Sequence, residues 1–161
     1  MSLCCDVLTA LAGKTLVTAE SLTGGGIGAA LTAVPGSSEV YKGGVISYTD
    51  WVKHHVLGVP QEILSTRGAV SAPVARAMAV GVRALLQADV AVSVTGLAGP
   101  GGDEFGNPVG AVFIGYAEEG RSDVRECHFL GNREEIRNQT IEAALKLVLD
   151  MRNPAEWKTH N

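Results

Sequence analysis

The stretch Thr18-Ala-Glu-Ser-Leu-Thr-Gly-Gly25 follows directly on a β-like run, Thr15-Leu16-Val17. A strand over residues 15–19 that ends in a serine and then in glycines puts a hydroxyl and several backbone N–H groups at one sheet edge. Such an edge holds a phosphate or presents a nucleophile. A second stretch of the same kind lies downstream. Val90-Ala-Val-Ser-Val-Thr95 has the continuous apolar pattern of a buried strand, and it runs into Gly96-Leu-Ala-Gly-Pro-Gly-Gly102. Two strands ending in glycine-rich, hydroxyl-bearing loops suggest one shared site.

Working outward from these two stretches, residues 4–12 read as a short helix ended by Gly13. Gly24 to Ala33 reads as a helix of small residues, whose four glycines each cost about 1 kcal/mol of propensity relative to alanine. They fit a place where backbone approaches a ligand or a neighbouring strand closely. Pro35-Gly36-Ser37-Ser38 is a turn, and Gly44-Val-Ile-Ser-Tyr48 is the next strand. Asp50 is placed to cap a helix over Trp51 to Leu57, which Gly58 and Pro60 stop. Ser71-Ala-Pro73 starts another helix, with Ser71 at its N-cap and Val74, Met78, Val82 and Leu85 as its apolar stripe. Strands follow at 89–95, 109–117 and 124–130. Asn132 with Glu135 reads as a capping box opening the last helix, whose buried stripe is Ile136, Thr140, Ala143, Leu147 and Met151. The polar tail from Asn153 reads as frayed. Glu118-Glu-Gly-Arg-Ser122 is too short for a parallel crossover, so the strands it joins are expected to be antiparallel. The expected fold is α/β: a three-layer α/β/α sandwich over a mixed, mostly parallel sheet of about five strands.

The 161 residues fit a single domain, 1–161, with 46% hydrophobic and 19% charged residues. A net charge of −4 with no long basic patch argues against a nucleic-acid partner, while a single anionic nucleotide needs only a few local donors. No apolar run reaches the roughly 18 residues of a membrane span, so no membrane partner is expected. The N-terminus lacks a basic, apolar leader pattern. Cys4, Cys5 and Cys127 form no disulfide framework, and the expected location is the cytoplasm. Neither cysteine nor histidine spacing suggests a metal site, and no cofactor is expected.

Ser21 leads as nucleophile, and a serine needs a base at neutral pH. The histidines offer little: His54 and His55 sit on a short helix, His128 is in a strand and His160 in the tail. Gly-x-Ser-x-Gly is absent, which argues against an α/β-hydrolase. Tyr48 and Lys53 are better partners, because a desolvated lysine near a hydroxyl acts as a base. Spacing alone leaves open a core-edge tyrosine and a surface lysine. The loop Thr95–Gly102 is either a glycine-rich turn or a nest of N–H groups for a phosphate or an oxyanion. Asp103 and Glu104 beside it do not make a magnesium site. Arg133 and Arg137, at i and i+4 on the last helix, face the same way. Two cations at a helix N-terminus run against the macrodipole, so they point to a phosphate or carboxylate partner, or to salt bridges with Glu134 and other acids.

The ordered segments resemble the CinA C-terminal domain family, the nicotinamide-nucleotide amidohydrolases. The resemblance rests on Thr18–Gly25, Val34-Pro-Gly-Ser-Ser38, Gly43-Gly-Val-Ile-Ser-Tyr48, Lys53 with Leu57-Gly-Val59, and Gly68-Ala-Val-Ser71. Val94–Gly102, Pro108-Val-Gly110 and Phe129-Leu-Gly-Asn-Arg133 complete it, so it covers about residues 5 to 150. It implies a three-layer α/β/α sandwich and hydrolysis of the carboxamide of nicotinamide mononucleotide to nicotinic acid mononucleotide and ammonia. It further implies Ser21 as nucleophile, with Tyr48 and Lys53 as its activating partners. Substrate contacts are implied from Thr23, Gly24 and Gly25, from Thr95, Gly96, Ala98 and Gly99, and from Arg133 or Arg137 at the phosphate. Metal and organic cofactors are not required, and a homodimer or higher homo-oligomer is implied. Many members carry cysteine where this chain has Leu22, and Asp103-Glu-Phe-Gly-Asn107 departs from the commoner pattern. Many also carry a large N-terminal domain, so the chain reads as a stand-alone form. The alternatives to this enzyme are a nucleotide-binding or accessory module on the same fold, and a hydrolase of another small amide.

Overall fold

The computed structural model describes residues 2–152. The elements run α1 (Leu3–Ala10), β1 (Leu16–Glu20), α2 (Gly26–Thr32), a 3-10 turn (Ser37–Glu39), β2 (Tyr41–Ile46), α3 (Asp50–His55), α4 (Gln61–Arg67), α5 (Ala72–Leu86), β3 (Val90–Gly96), β4 (Ala111–Glu118), β5 (Arg121–His128) and α6 (Arg133–Arg152). The sheet order is β2-β1-β3-β4-β5. β1 pairs in parallel with both β2 and β3, while β3–β4 and β4–β5 are antiparallel. By direction, β4 alone runs against the other four. The sheet is therefore mixed and mostly parallel, and the short link near Gly120 closes the antiparallel hairpin as its length requires.

Both faces of the central strands are covered, so β1 and β3 read as continuous apolar runs. Alternation still sorts their side chains between two cores. Leu16, Val90, Val92 and Val94 pack with α1, α2 and α6. Val17, Ala19 and Ala91 pack with α4 and α5 through Leu64, Val74, Met78 and Val82. Each fully buried aliphatic side chain contributes about 1.5–3 kcal/mol. These two cores on either side of one sheet are the three expected layers.

Several local expectations shift. Thr49, not Asp50, caps α3: its hydroxyl accepts from the Val52 N–H at 3.4 Å, and Asp50 is the first helical residue. Ser71 holds the N-cap position of α5, but its hydroxyl donates to the Gly68 carbonyl at 2.8 Å instead of capping. The α5 stripe ends at Val82, and Leu85 is half exposed because the next inward position, i+4 from Val82, is Leu86. In α6 the fully buried alanine is Ala144, four residues after Thr140, and Ala143 lies beside it. The helix α4 has no counterpart in the sequence reading. Pro60 stops the preceding segment and holds the N-cap position of α4. β2 begins at Tyr41 and β5 at Arg121, each three residues earlier than expected. The Asn132–Glu135 capping box forms, with reciprocal bonds of 2.9 and 3.0 Å. The tail from Asn153 and His160 lie outside the described residues.

Candidate active site

Parallel pairing of β1 with both neighbours brings three C-terminal strand ends to one edge of the sheet. The chain leaves β1 toward β2 on one side and later returns to β3 on the other. Such a switch point in an open α/β sheet leaves a crevice between the loops. Ser21 follows β1, Tyr48 follows β2, and Thr95–Gly99 runs out of β3. They line a cleft of about 310 Å³ with Leu22, Asp50, Lys53, Val70 and Arg133. A larger hollow of about 450 Å³ lies at the opposite strand ends, between α1 and the 3-10 turn, away from Ser21 and Lys53.

Lys53 is brought in by α3, which starts at the Thr49 cap, a feature worth about 1 kcal/mol to a helix. Its side chain is buried, 1% exposed. Nζ lies 3.2 Å from Ser21 Oγ, 2.9 Å from the Ser47 carbonyl and 3.3 Å from the Tyr48 carbonyl. Three acceptors match the three protons of an ammonium. Burial disfavours that charge and lowers the lysine pKa, while the nearby Asp50 carboxylate works against the shift. The neutral amine keeps two N–H donors for the two carbonyls, which leaves its lone pair facing the Ser21 hydroxyl. That is the arrangement of a base beside its nucleophile. The described histidines are engaged elsewhere: His54 with the Val59 carbonyl, His55 with the Trp51 carbonyl and His128 with Glu126.

The backbone after Ser21 is tightly determined. The Ser21 N–H donates to the Val94 carbonyl at 3.1 Å, and the Gly24 N–H donates to the Ser21 carbonyl at 3.1 Å. In a trans peptide the C=O and N–H point opposite ways. The Leu22 N–H is therefore directed away from the turn, on a residue that lines the cleft. Arg137 fixes the next two units, with Nε donating to the Leu22 carbonyl at 3.0 Å and Nη2 to the Thr23 carbonyl at 3.2 Å.

Of the sequence candidates, Ser21, Lys53, Tyr48, Thr95, Gly96, Ala98, Gly99 and Arg133 meet at the cleft. Tyr48 touches Lys53 through its carbonyl, and its hydroxyl accepts from Arg133 at 3.3 Å. The Thr95 hydroxyl donates to the Ala69 carbonyl at 2.8 Å. Thr23, Gly24, Gly25 and Arg137 do not line the cleft. Thr23 is buried and donates to Glu20 at 2.6 Å. Gly25 sits at φ +98° as the N-cap of α2, a left-handed conformation that favours glycine. Arg137 spends its guanidinium on the turn rather than leaving it for a phosphate. Arg133 also reaches inward, donating to the Gly99 carbonyl at 2.6 Å.

The residue that the sequence reading passed over is Glu20, 2% exposed. Its carboxylate accepts from the Ile27 N–H at 2.8 Å, the Gly28 N–H at 3.0 Å and the Thr23 hydroxyl. An internal anion therefore already occupies the N-terminus of α2, the place where a phosphate cradle was one expectation. The signal was available: one acid closing an otherwise apolar strand, seven residues before Ile27.

The CinA C-terminal domain model matches residues 3–152. This chain belongs to the CinA C-terminal domain family. It is 49% identical over 138 residues to a CinA-like protein of Gemmatimonas aurantiaca, covering 84% of this chain and 32% of that protein. It is 59% identical over 102 residues to a CinA-like protein of Synechococcus sp. (strain CC9311), covering 63% and 24%. The chain thus spans a third or less of the length of these curated relatives. Among solved structures, it is similar to the competence/damage inducible protein CihA of Agrobacterium tumefaciens, at a TM-score of 0.90 and 39% identity over 94% of each chain. A CinA superfamily protein of Klebsiella pneumoniae matches at a TM-score of 0.91 and 34% identity, covering 93% of this chain and 95% of that one. Among the described residues no helix is long and apolar enough to cross a membrane, and no cluster of metal-ligating side chains occurs.

Proposed function

We propose that this chain hydrolyses the carboxamide of nicotinamide mononucleotide, giving nicotinic acid mononucleotide and ammonia. The observation that carries the reading is the buried Lys53 amine 3.2 Å from Ser21 Oγ, with its other partners restricted to two carbonyls. Membership in the CinA C-terminal domain family supports the substrate class, and a cleft of about 310 Å³ suits a small molecule.

In the first step Ser21 Oγ attacks the amide carbon and its proton passes to Lys53 Nζ. The carbonyl oxygen gains the negative charge, and we assign the Leu22 N–H as its backbone donor. The tetrahedral adduct collapses, the C–N bond breaks, and the lysine proton goes to the leaving nitrogen, which departs as ammonia. Water then attacks the ester at Ser21, gives one proton to Lys53, and displaces Ser21 Oγ, which takes that proton back. Nucleotide anchoring falls to Arg133 and the Thr95–Gly99 loop.

Ammonia release from nicotinamide mononucleotide by the purified protein tests the reading. Ser21→Ala is expected to lower kcat by about a thousandfold or more while nucleotide binding persists. Binding without ammonia release from the parent protein would make it a nucleotide-binding module. Full activity in Ser21→Ala would overturn the mechanism.

A further inference from the structure

We propose that Asp50 makes this cleft selective for amides borne on a cationic ring, with Arg133 holding the anionic end of the same substrate. The inference rests on the amidohydrolase reading and adds to it the charge pattern that the site accepts. Asp50 is the first residue of α3 and lines the cleft together with Ser21 and Lys53, one helical turn before the base. The carboxylate is exposed at the cleft, and its proximity works against the lowering of the Lys53 pKa by burial. Among the described residues, the acids in ion pairs are Glu118, Glu126, Glu142 and Asp150, and Asp50 is not one of them. The N-cap hydrogen bond of α3 comes from the Thr49 hydroxyl, so Asp50 is not spent on capping.

The other charged groups lining the cleft are Lys53 and Arg133. Arg133 has no carboxylate partner among the described residues, and its donors go to the neutral Gly99 carbonyl and Tyr48 hydroxyl. Beside the buried Lys53, the cleft lining carries one acid, Asp50, and one further cation, Arg133, and neither is in an ion pair among the described residues. Asp50 shares α3 with Lys53, three residues before it, whereas Arg133 comes from α6 and reaches the Gly99 carbonyl and the Tyr48 hydroxyl. A matching substrate is dipolar, with a positive charge on the part that carries the amide and a negative charge further away. A pyridinium carboxamide attached to a sugar phosphate has that layout, whereas a neutral amide does not. Hydrolysis then replaces a neutral carboxamide by a carboxylate close to Asp50, and like-charge repulsion favours release of the product.

The test compares nicotinamide mononucleotide with its ring-reduced dihydro form, which keeps the carboxamide, ribose and phosphate but has an uncharged ring. The readout is the ratio of kcat/KM for the two substrates in the parent, Asp50→Asn and Asp50→Glu. Any effect of Asp50 on Lys53, or on the folding of α3, is common to both substrates and cancels in the ratio. The ratio is expected to fall about tenfold in Asp50→Asn and to be largely restored in Asp50→Glu. An unchanged ratio in Asp50→Asn would overturn the proposal and leave Asp50 as support for α3 or Lys53. Dissociation constants for both nucleotides, measured on Ser21→Ala and Ser21→Ala/Asp50→Asn, give the same comparison without turnover. If the parent hydrolyses neither compound, the amidohydrolase reading fails, and the ratio of dissociation constants still decides the role of Asp50.

Discussion

The turn after β1 and the loop after β3 each carry hydroxyl residues and a run of glycines, and in sequence both suit an anion. In the fold they differ in where their polar groups point. The β1 turn closes on itself: Glu20 takes the first N–H groups of α2, Thr23 bonds to Glu20, and Arg137 clamps the carbonyls of Leu22 and Thr23. Only Ser21 and Leu22 of that turn line the cleft. The β3 loop stays open, and Thr95, Gly96, Ala98, Gly99 and Gly101 all line it. A glycine-rich helix start is thus an anion site only where the protein has not already supplied the anion. In this chain the first glycine run builds the nucleophile's support and the second builds the wall that faces substrate.

That contrast predicts that changes in the first turn act on stability and changes in the second act on turnover. The largest effect is expected for Glu20→Ala, which strands the Thr23 hydroxyl and the Ile27 and Gly28 N–H groups in a buried place. A loss of about 3–5 kcal/mol in urea unfolding is expected, and a variant as stable as the parent would remove the distinction. Gly28→Ala comes next. Its Cβ would lie 2.7 Å from the Tyr41 hydroxyl, which bonds Thr18 at 2.7 Å and stands beside Glu20. Alanine's better helix propensity offsets part of the clash, so a net loss of about 1–2 kcal/mol is expected by the same measurement. The smallest effect on stability is expected for Gly101→Ala, where an added Cβ meets nothing within 4 Å. Its unfolding midpoint is expected to match the parent while KM rises about two- to fivefold, since the methyl enters the cleft wall. If Gly101→Ala unfolds early, or Gly28→Ala changes KM alone, the two regions are not divided as described.

How far the sequence foretells this follows from the range of each signal. β1, β3, the antiparallel hairpin around Gly120 and the Asn132 capping box depend on neighbours a few residues apart, and they were legible in pattern and turn length, although β5 begins at Arg121 rather than 124. So was the convergence of Ser21 with the Thr95 loop, because both end buried strands. Arg133 and Arg137 were legible as a pair on one helix face but not as different parts. Their separate targets, Gly99 with Tyr48 for one and Leu22 with Thr23 for the other, lie 34 to 115 residues away in sequence. Tyr48 and Lys53 were legible as neighbours of Ser21, while the division of labour between the Tyr48 carbonyl and its hydroxyl is a tertiary fact. Burial of Lys53 was equally invisible, since a lysine on a short polar helix reads as solvated. The substrate assignment came through family resemblance, because residue spacing says nothing of which amide fits.

The central claim is that Lys53 activates Ser21, and the most direct measurement is the pH dependence of Ser21 modification by a sulfonyl fluoride, located by peptide mapping. Burial lowers the Lys53 pKa, so the amine loses its proton below its ordinary value of 10.5. The labelling rate should therefore rise with pH through an inflection below that value, with a single adduct on Ser21. In Lys53→Met that inflection should vanish and the rate should drop at least about a hundredfold. An adduct on a different residue, or a Lys53→Met protein labelled at the parent rate with the parent pH profile, would contradict the account.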